Sequence, residues 1–117
     1  MAIKKKITRK TIVKQKSIIR LSATKARISQ NIGNGFDRFV FTRVEIPPGG
    51  SRELSMLAPI NRRVISGGWS IRPGDPKTKE VYATESYPRT SREWVITVWN
   101  DTPDFQIVIP YYITKLR

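Results

Sequence analysis

The chain has 117 residues, 38% of them hydrophobic, with neither cysteine nor histidine and a formal net charge of +13. That length suits one domain with a single core, and the two missing residue types remove disulfides, thiolate chemistry, the usual zinc ligands and Ser-His or Cys-His nucleophile pairs. No run approaches the ~20 apolar residues that cross a bilayer, so neither a membrane partner nor a cofactor is expected.

The charge is unevenly placed. Residues 1–30 hold ten basic residues and no acid, and the first acid is Asp37. The other twelve basic residues face nine acids, leaving about +3 for residues 31–117 by subtraction. The pattern divides the chain into a basic N-terminal arm, 1–30, and a nearly balanced body, 31–117. Residues 1–16 mix cations with isolated apolar residues and fit neither a helical nor a strand period. Such a segment buries little of itself and orders best on an acidic surface. Lys4, Lys5, Lys6, Arg9, Lys10 and Lys14 are its candidate docking residues, and Ile7, Ile12 and Val13 its candidate apolar anchors. The interruptions by Arg9, Lys10, Lys14 and Lys16 leave no apolar run of signal-peptide length, so no classical secretion signal is expected.

Residues 17–28 alternate with period two, which favours a strand; a short helix from Ser22 competes. Asn31 to Gly35 reads as a loop. From Phe36 onward the signal is all-β. Arg38 to Ile46 is a strand with Val40, Val44 and Ile46 on one face, ended by Pro47-Pro48-Gly49-Gly50. Arg52 to Leu57 is a second strand, turned by Pro59-Ile60-Asn61 into Arg62 to Ile71. That third strand carries Gly67-Gly68-Trp69 in its middle. Glycines inside a strand pattern mark a bulge or a close approach, here room for a neighbouring aromatic. Glu80 to Ser86 follows, broken by Tyr87-Pro88. Glu93 to Trp99 is apolar on both faces, with Trp94, Ile96 and Val98 on one and Val95, Thr97 and Trp99 on the other. Asn100 to Asp104 is a turn cluster, and Phe105 to Ile113 the last strand, with Ile107, Ile109, Tyr111 and Ile113 sharing a face.

Short strands at near-regular spacing predict a single-domain antiparallel β-sandwich, jelly-roll-like, with an extended basic arm. A sandwich covers only one face of each sheet. The second apolar face of Glu93 to Trp99 therefore predicts either a subunit interface, in a dimer or trimer, or cover by the arm. Gly67, Gly68, Trp69, Trp94 and Trp99 are read as structural.

Little in the chain carries catalysis. Glu80, Glu85, Glu93, Asp101 and Asp104 fall on different strands and turns, with no pairing signal for a glycosidase-like carboxylate pair. Ile65-Ser66-Gly67-Gly68 lacks the spacing and the lysine of a phosphate loop. An oxygen-ligand calcium site at Asn100, Asp101 and Asp104 competes with a plain hairpin turn. No enzyme activity and no resident metal are expected.

Six stretches form a pattern: Val44 to Pro48, Ala58-Pro59, Arg63 to Trp69, Ala83 to Pro88, Trp94 to Asn100 and Val108 to Ile113. This pattern resembles a β-sandwich module of bacteriophage virion proteins, of the decoration and tail type, and of bacterial surface proteins. It covers about residues 40–114. The family's cysteines have no counterpart: Ala58 lies near one such position, and Tyr111-Tyr112-Ile113 stands at the other. The resemblance implies a non-enzymatic scaffold located in a virion and identifies no catalytic residue. The expected function is a structural virion protein, a capsid decoration or cement protein whose arm docks on other virion proteins. Two other readings remain open. One is a tail, fibre or receptor- and carbohydrate-binding tip with Trp69, Trp94, Trp99, Tyr111 and Tyr112 as its surface. The other is a nucleic-acid-binding module with a basic tail. Arg62 and Arg63 are secondary docking candidates.

Overall fold

The structure is a computed structural model, described for residues 17–71 and 80–117. The nine arm residues named above as docking and anchor residues, Lys4 to Lys14, lie outside the described residues. Among the described residues nine strands follow in order: β1 (Ser17–Ser22), β2 (Ala26–Gly33), β3 (Phe36–Phe41), β4 (Val44–Ile46), β5 (Ser51–Leu57), β6 (Arg62–Ile71), β7 (Val81–Thr90), β8 (Glu93–Asn100) and β9 (Gln106–Leu116). They form two packed sheets, so the chain is an all-β sandwich. Sheet A runs β1-β5-β8-β7. In sheet B the long β9 is paired by β6 on one side and by β3 and β4, end to end, on the other; β2 extends the sheet beyond β3.

The core lies between the sheets. Leu54, Met56, Ile96 and Val98 face it from sheet A, and Phe41, Ile46, Val108 and Tyr112 from sheet B. Tyr112 joins the two layers. Phe39 and Phe41 meet its ring edge-on at 5.4 and 5.0 Å, and its hydroxyl donates to Leu57 O at 3.0 Å on sheet A. Burial pushes its phenol up to about 12 from the usual 10.0.

Several boundaries differ from those read in the sequence. Residues 17–33 belong to both sheets, so a division after residue 30 would cut through β2. β1 runs parallel to β5, from Ser17 beside Arg52 to Ser22 beside Leu57, so sheet A is mixed rather than antiparallel. A single 3-10 turn at Ala23–Lys25 carries the chain to the other sheet; the helix from Ser22 does not extend beyond it. Asn31 to Gly33 is strand, and only Asn34 and Gly35 form the turn. Both have positive φ, 58° and 84°, as a two-residue type I′ hairpin requires.

Pro88 does not end β7, which is an edge strand and so tolerates a missing amide. The span from Arg38 to Ile46 is two strands. The pairing with β9 stops at Val40 opposite Tyr111 and resumes at Val44 opposite Val108. The gap lies beside Pro110, which has no amide to give a ladder. The one-residue shift across it turns Val40 outward while Val44 and Ile46 face the core.

Candidate interaction surface

The outer face of β8 is closed within the chain. Val95 and Thr97 are 0% and 2% exposed although they point away from sheet B. Their cross-strand neighbours are Ser55 and Glu53 on β5 and Tyr87 and Glu85 on β7. Arg89 reaches across this surface from β7. Its guanidinium donates to Glu53 Oε2 at 2.9 Å and approaches Glu93 Oε2 at 3.4 Å. Ser55 Oγ donates to Glu93 Oε2 at 2.5 Å, and Thr97 Oγ1 to Glu85 Oε1 at 2.9 Å. The hydrogen bond to Glu53, and next one with Tyr87, hold the Arg89 pKa above its ordinary value. This polar lid lies over the second apolar face of Glu93 to Trp99. It also brings Glu53, Glu85 and Glu93 onto one face, which their separation in sequence hides.

The outer face of sheet B has no such lid. On β9 the buried residues are the even ones, Gln106, Val108, Pro110, Tyr112 and Thr114. The more apolar alternating set, Ile107, Ile109, Tyr111 and Ile113, therefore faces outward and is only half-buried. Val40 and Arg38 flank it on β3; Ser66, Gly68 and Ser70 flank it on β6. Ile28, opposite Val40 at 45% exposure, widens the apolar strip. A shallow groove of about 440 Å³ runs along it. Its ends carry opposite charge: Arg63 and Lys115 pair at one end, and Glu45 lies beside Ile107 at the other.

The glycines of β6 serve the two faces in turn. Trp94 of β8 lies over Gly67 inside the sandwich, and the Tyr111 ring lies over Gly68 on the outer face. Trp69 and Trp94 pack against the core, and Trp94 Nε1 donates to Ser86 Oγ at 3.0 Å. Tyr112 is fully buried. Trp99 is half-buried beside Tyr82. These rings lie at different depths and on different faces, so they do not form one stacking surface. Arg62 is engaged as well: it forms an ion pair with Asp37 and donates to Thr114 Oγ1 at 3.1 Å. Arg63 remains exposed.

The Asn100–Asp104 turn is organised by hydrogen bonds. Asn100 is fully buried; its Nδ2 donates to Ile46 O and Asp104 O, and its Oδ1 accepts from the amide and hydroxyl of Thr102. Asp101 accepts from the Tyr82 hydroxyl at 2.9 Å, which raises the tyrosine pKa. No group of three or more Asp, Glu, His or Cys residues placed to hold a metal occurs among the described residues.

The YjdH family model matches residues 17–114, which span β1 to the outer part of β9. The chain belongs to the YjdH family. The matched span starts at the first residue of β1, so this YjdH-family fold includes β1 and β2, and it ends before the last residues of β9. No match to a curated protein or to a solved structure accompanies it.

Proposed function

We propose that the protein is a non-enzymatic structural module that acts by assembly. It pairs with a second copy through the outer face of sheet B, and its basic arm docks on other proteins of a larger particle. A capsid decoration or cement protein of a bacteriophage virion is the specific form of this reading. The motif resemblance and the basic arm support that form.

The observation that carries the reading is the outward strip of Ile107, Ile109, Tyr111 and Ile113. Folding leaves this apolar set half-buried as one continuous row at the centre of sheet B, while at the centre of the sheet A face charged and hydroxyl side chains cover Val95 and Thr97 and the exposed Ile18, Leu57, Tyr82 and Tyr87 stand apart at its margins. An apolar patch with a polar rim is characteristic of a protein contact. A second copy fits its charges. Turned about a two-fold axis lying in the interface, one strip runs antiparallel to the other, and Arg63 and Lys115 of one copy meet Glu45 of the next.

The test is an outward charge in the strip. Ile113→Glu and Ile109→Glu leave the core untouched and place a carboxylate in a desolvated contact, which costs several kcal/mol per buried charge. Both variants are expected to sediment as folded monomers while the parent sediments as a dimer. An unchanged dimer in both variants would remove the sheet B face from this role.

A further inference from the structure

The sandwich is open along one side, between β1 at the edge of sheet A and β4 at the edge of sheet B. The cleft there measures about 410 Å³. Leu21 and Val44 form a buried apolar floor, and Arg20, Lys25, Arg43 and Arg52 stand around it. Among the described residues Glu45 is the single acid on its lining, and no aromatic ring lines it.

Both walls are strand edges whose backbone faces the cleft. Arg52 Nε donates to Glu45 O at 2.6 Å, so this carbonyl points away from β9. In an antiparallel ladder the amide of the same residue points the same way, which directs the Glu45 N–H into the opening. On the opposite wall, Lys25 Nζ donates to Arg20 O at 3.3 Å, so the free edge of β1 faces outward there too. The cleft thus combines four cations, two of which (Lys25 and Arg52) bond edge carbonyls, with the outward amide edge of β4 and a narrow apolar floor.

We propose that this cleft binds an extended acidic segment of a partner protein, laid as an added strand along β4 with its carboxylates toward Arg20, Arg43 and Lys25. The main chain supplies strand-type hydrogen bonds, and alternate side chains reach the cations or the floor. Three features select this occupant. The net charge of the lining calls for an anion. The strand edges call for a peptide backbone. The described lining offers no aromatic platform on which unpaired bases would stack. The chain's own N-terminal stretch is a poor occupant, because residues 1–16 hold seven cations and no acid. The inference deepens the assembly reading, since it names the chemistry of the partner surface on which the cationic part of the molecule docks.

The experiment titrates the full chain with a fluorescent peptide of alternating Glu and Val, and separately with a single-stranded oligonucleotide. The double variant Arg20→Glu/Arg43→Glu is compared with the parent and with Arg27→Glu, an exposed cation of β2 outside the cleft. The parent is expected to bind the peptide with salt-sensitive affinity, Arg27→Glu to match it, and the double variant to bind about tenfold or more weakly. Light scattering on the same samples keeps the two readings apart, because Arg20 and Arg43 lie away from the Ile109–Ile113 strip and their reversal leaves the mass unchanged. Equal peptide binding by parent and double variant overturns the proposal. So does binding of the oligonucleotide alone, lost in the double variant, which would make the cleft a phosphate site.

Discussion

A Cβ built on Gly67 would stand 2.7 Å from both Cγ and Nε1 of Trp94, so the indole occupies the space a side chain on β6 would need. The contact joins the two sheets across the core, and it explains why glycine stands in the middle of β6. Gly68, one residue on, meets only the far end of Tyr111 on the outer face, with its hydroxyl at 2.5 Å.

The two glycines therefore respond differently to the same change. Gly67→Ala is expected to destabilise by about 2 kcal/mol, because an indole packed against the core must shift. Gly68→Ala costs less, under about 1 kcal/mol, because the Tyr111 ring can swing into solvent and the added methyl restricts the unfolded chain. Urea unfolding of both variants, with near-ultraviolet circular dichroism following the tryptophans, measures the contrast.

Asn100 satisfies a buried carbonyl of β4 and the Asp104 carbonyl at once, and accepts two bonds from Thr102. Asn100→Ala leaves those groups without this partner. The expected loss is about 2–3 kcal/mol, read as a lower midpoint in denaturant with unchanged slope.

The lid over β8 predicts coupling between Arg89 and Glu53. The arginine side chain is 39% exposed, so solvent screening limits the pair. A double-mutant cycle with Arg89→Met and Glu53→Gln is expected to give a favourable, salt-sensitive coupling. A value near zero would mean that this ion pair does not hold the lid closed.

Tyr112 makes stability depend on alkaline pH. Its folded pKa, about 12, lies above the unfolded value of 10.0. The stabilisation is therefore complete below pH 10, where both states keep the proton. It falls as pH rises toward 12, because the unfolded chain releases the proton first. The parent is expected to lose more stability than Tyr112→Phe between pH 10 and 12, by up to about 2 kcal/mol. Thermal melts of the two proteins across that range measure the difference.

Much of the fold was legible because most strands carry local signals. Turns at Pro47 to Gly50, Pro59 to Asn61 and Asn100 to Asp104 place β5, β6 and β8 within a residue or two. What was not legible depends on partners distant in sequence. Period two divides β9 into two faces without saying which is inside. The choice falls to Tyr112, whose ring fits between Phe39 and Phe41 and whose hydroxyl finds Leu57, and this turns the isoleucines outward. The one-residue shift beside Pro110 likewise moved Val40 off the face assigned to it. The alternation over residues 17–28 favoured a strand, but it could not show that the chain changes sheets at Ala23–Lys25 or that β1 and β2 pair with β5 and β3, which is tertiary. The outward strip and the cationic cleft both follow from these hidden choices.

The mass of the purified chain in solution decides most directly whether the sheet B face assembles the protein. Light scattering at low and high salt, with nucleic acid removed, is expected to give twice the chain mass of 13.5 kDa at both salts. An apolar contact survives screening that dissolves a purely ionic one. A mass of one chain at both salts, at concentrations where Ile113→Glu behaves identically, would contradict assembly through Ile107, Ile109, Tyr111 and Ile113.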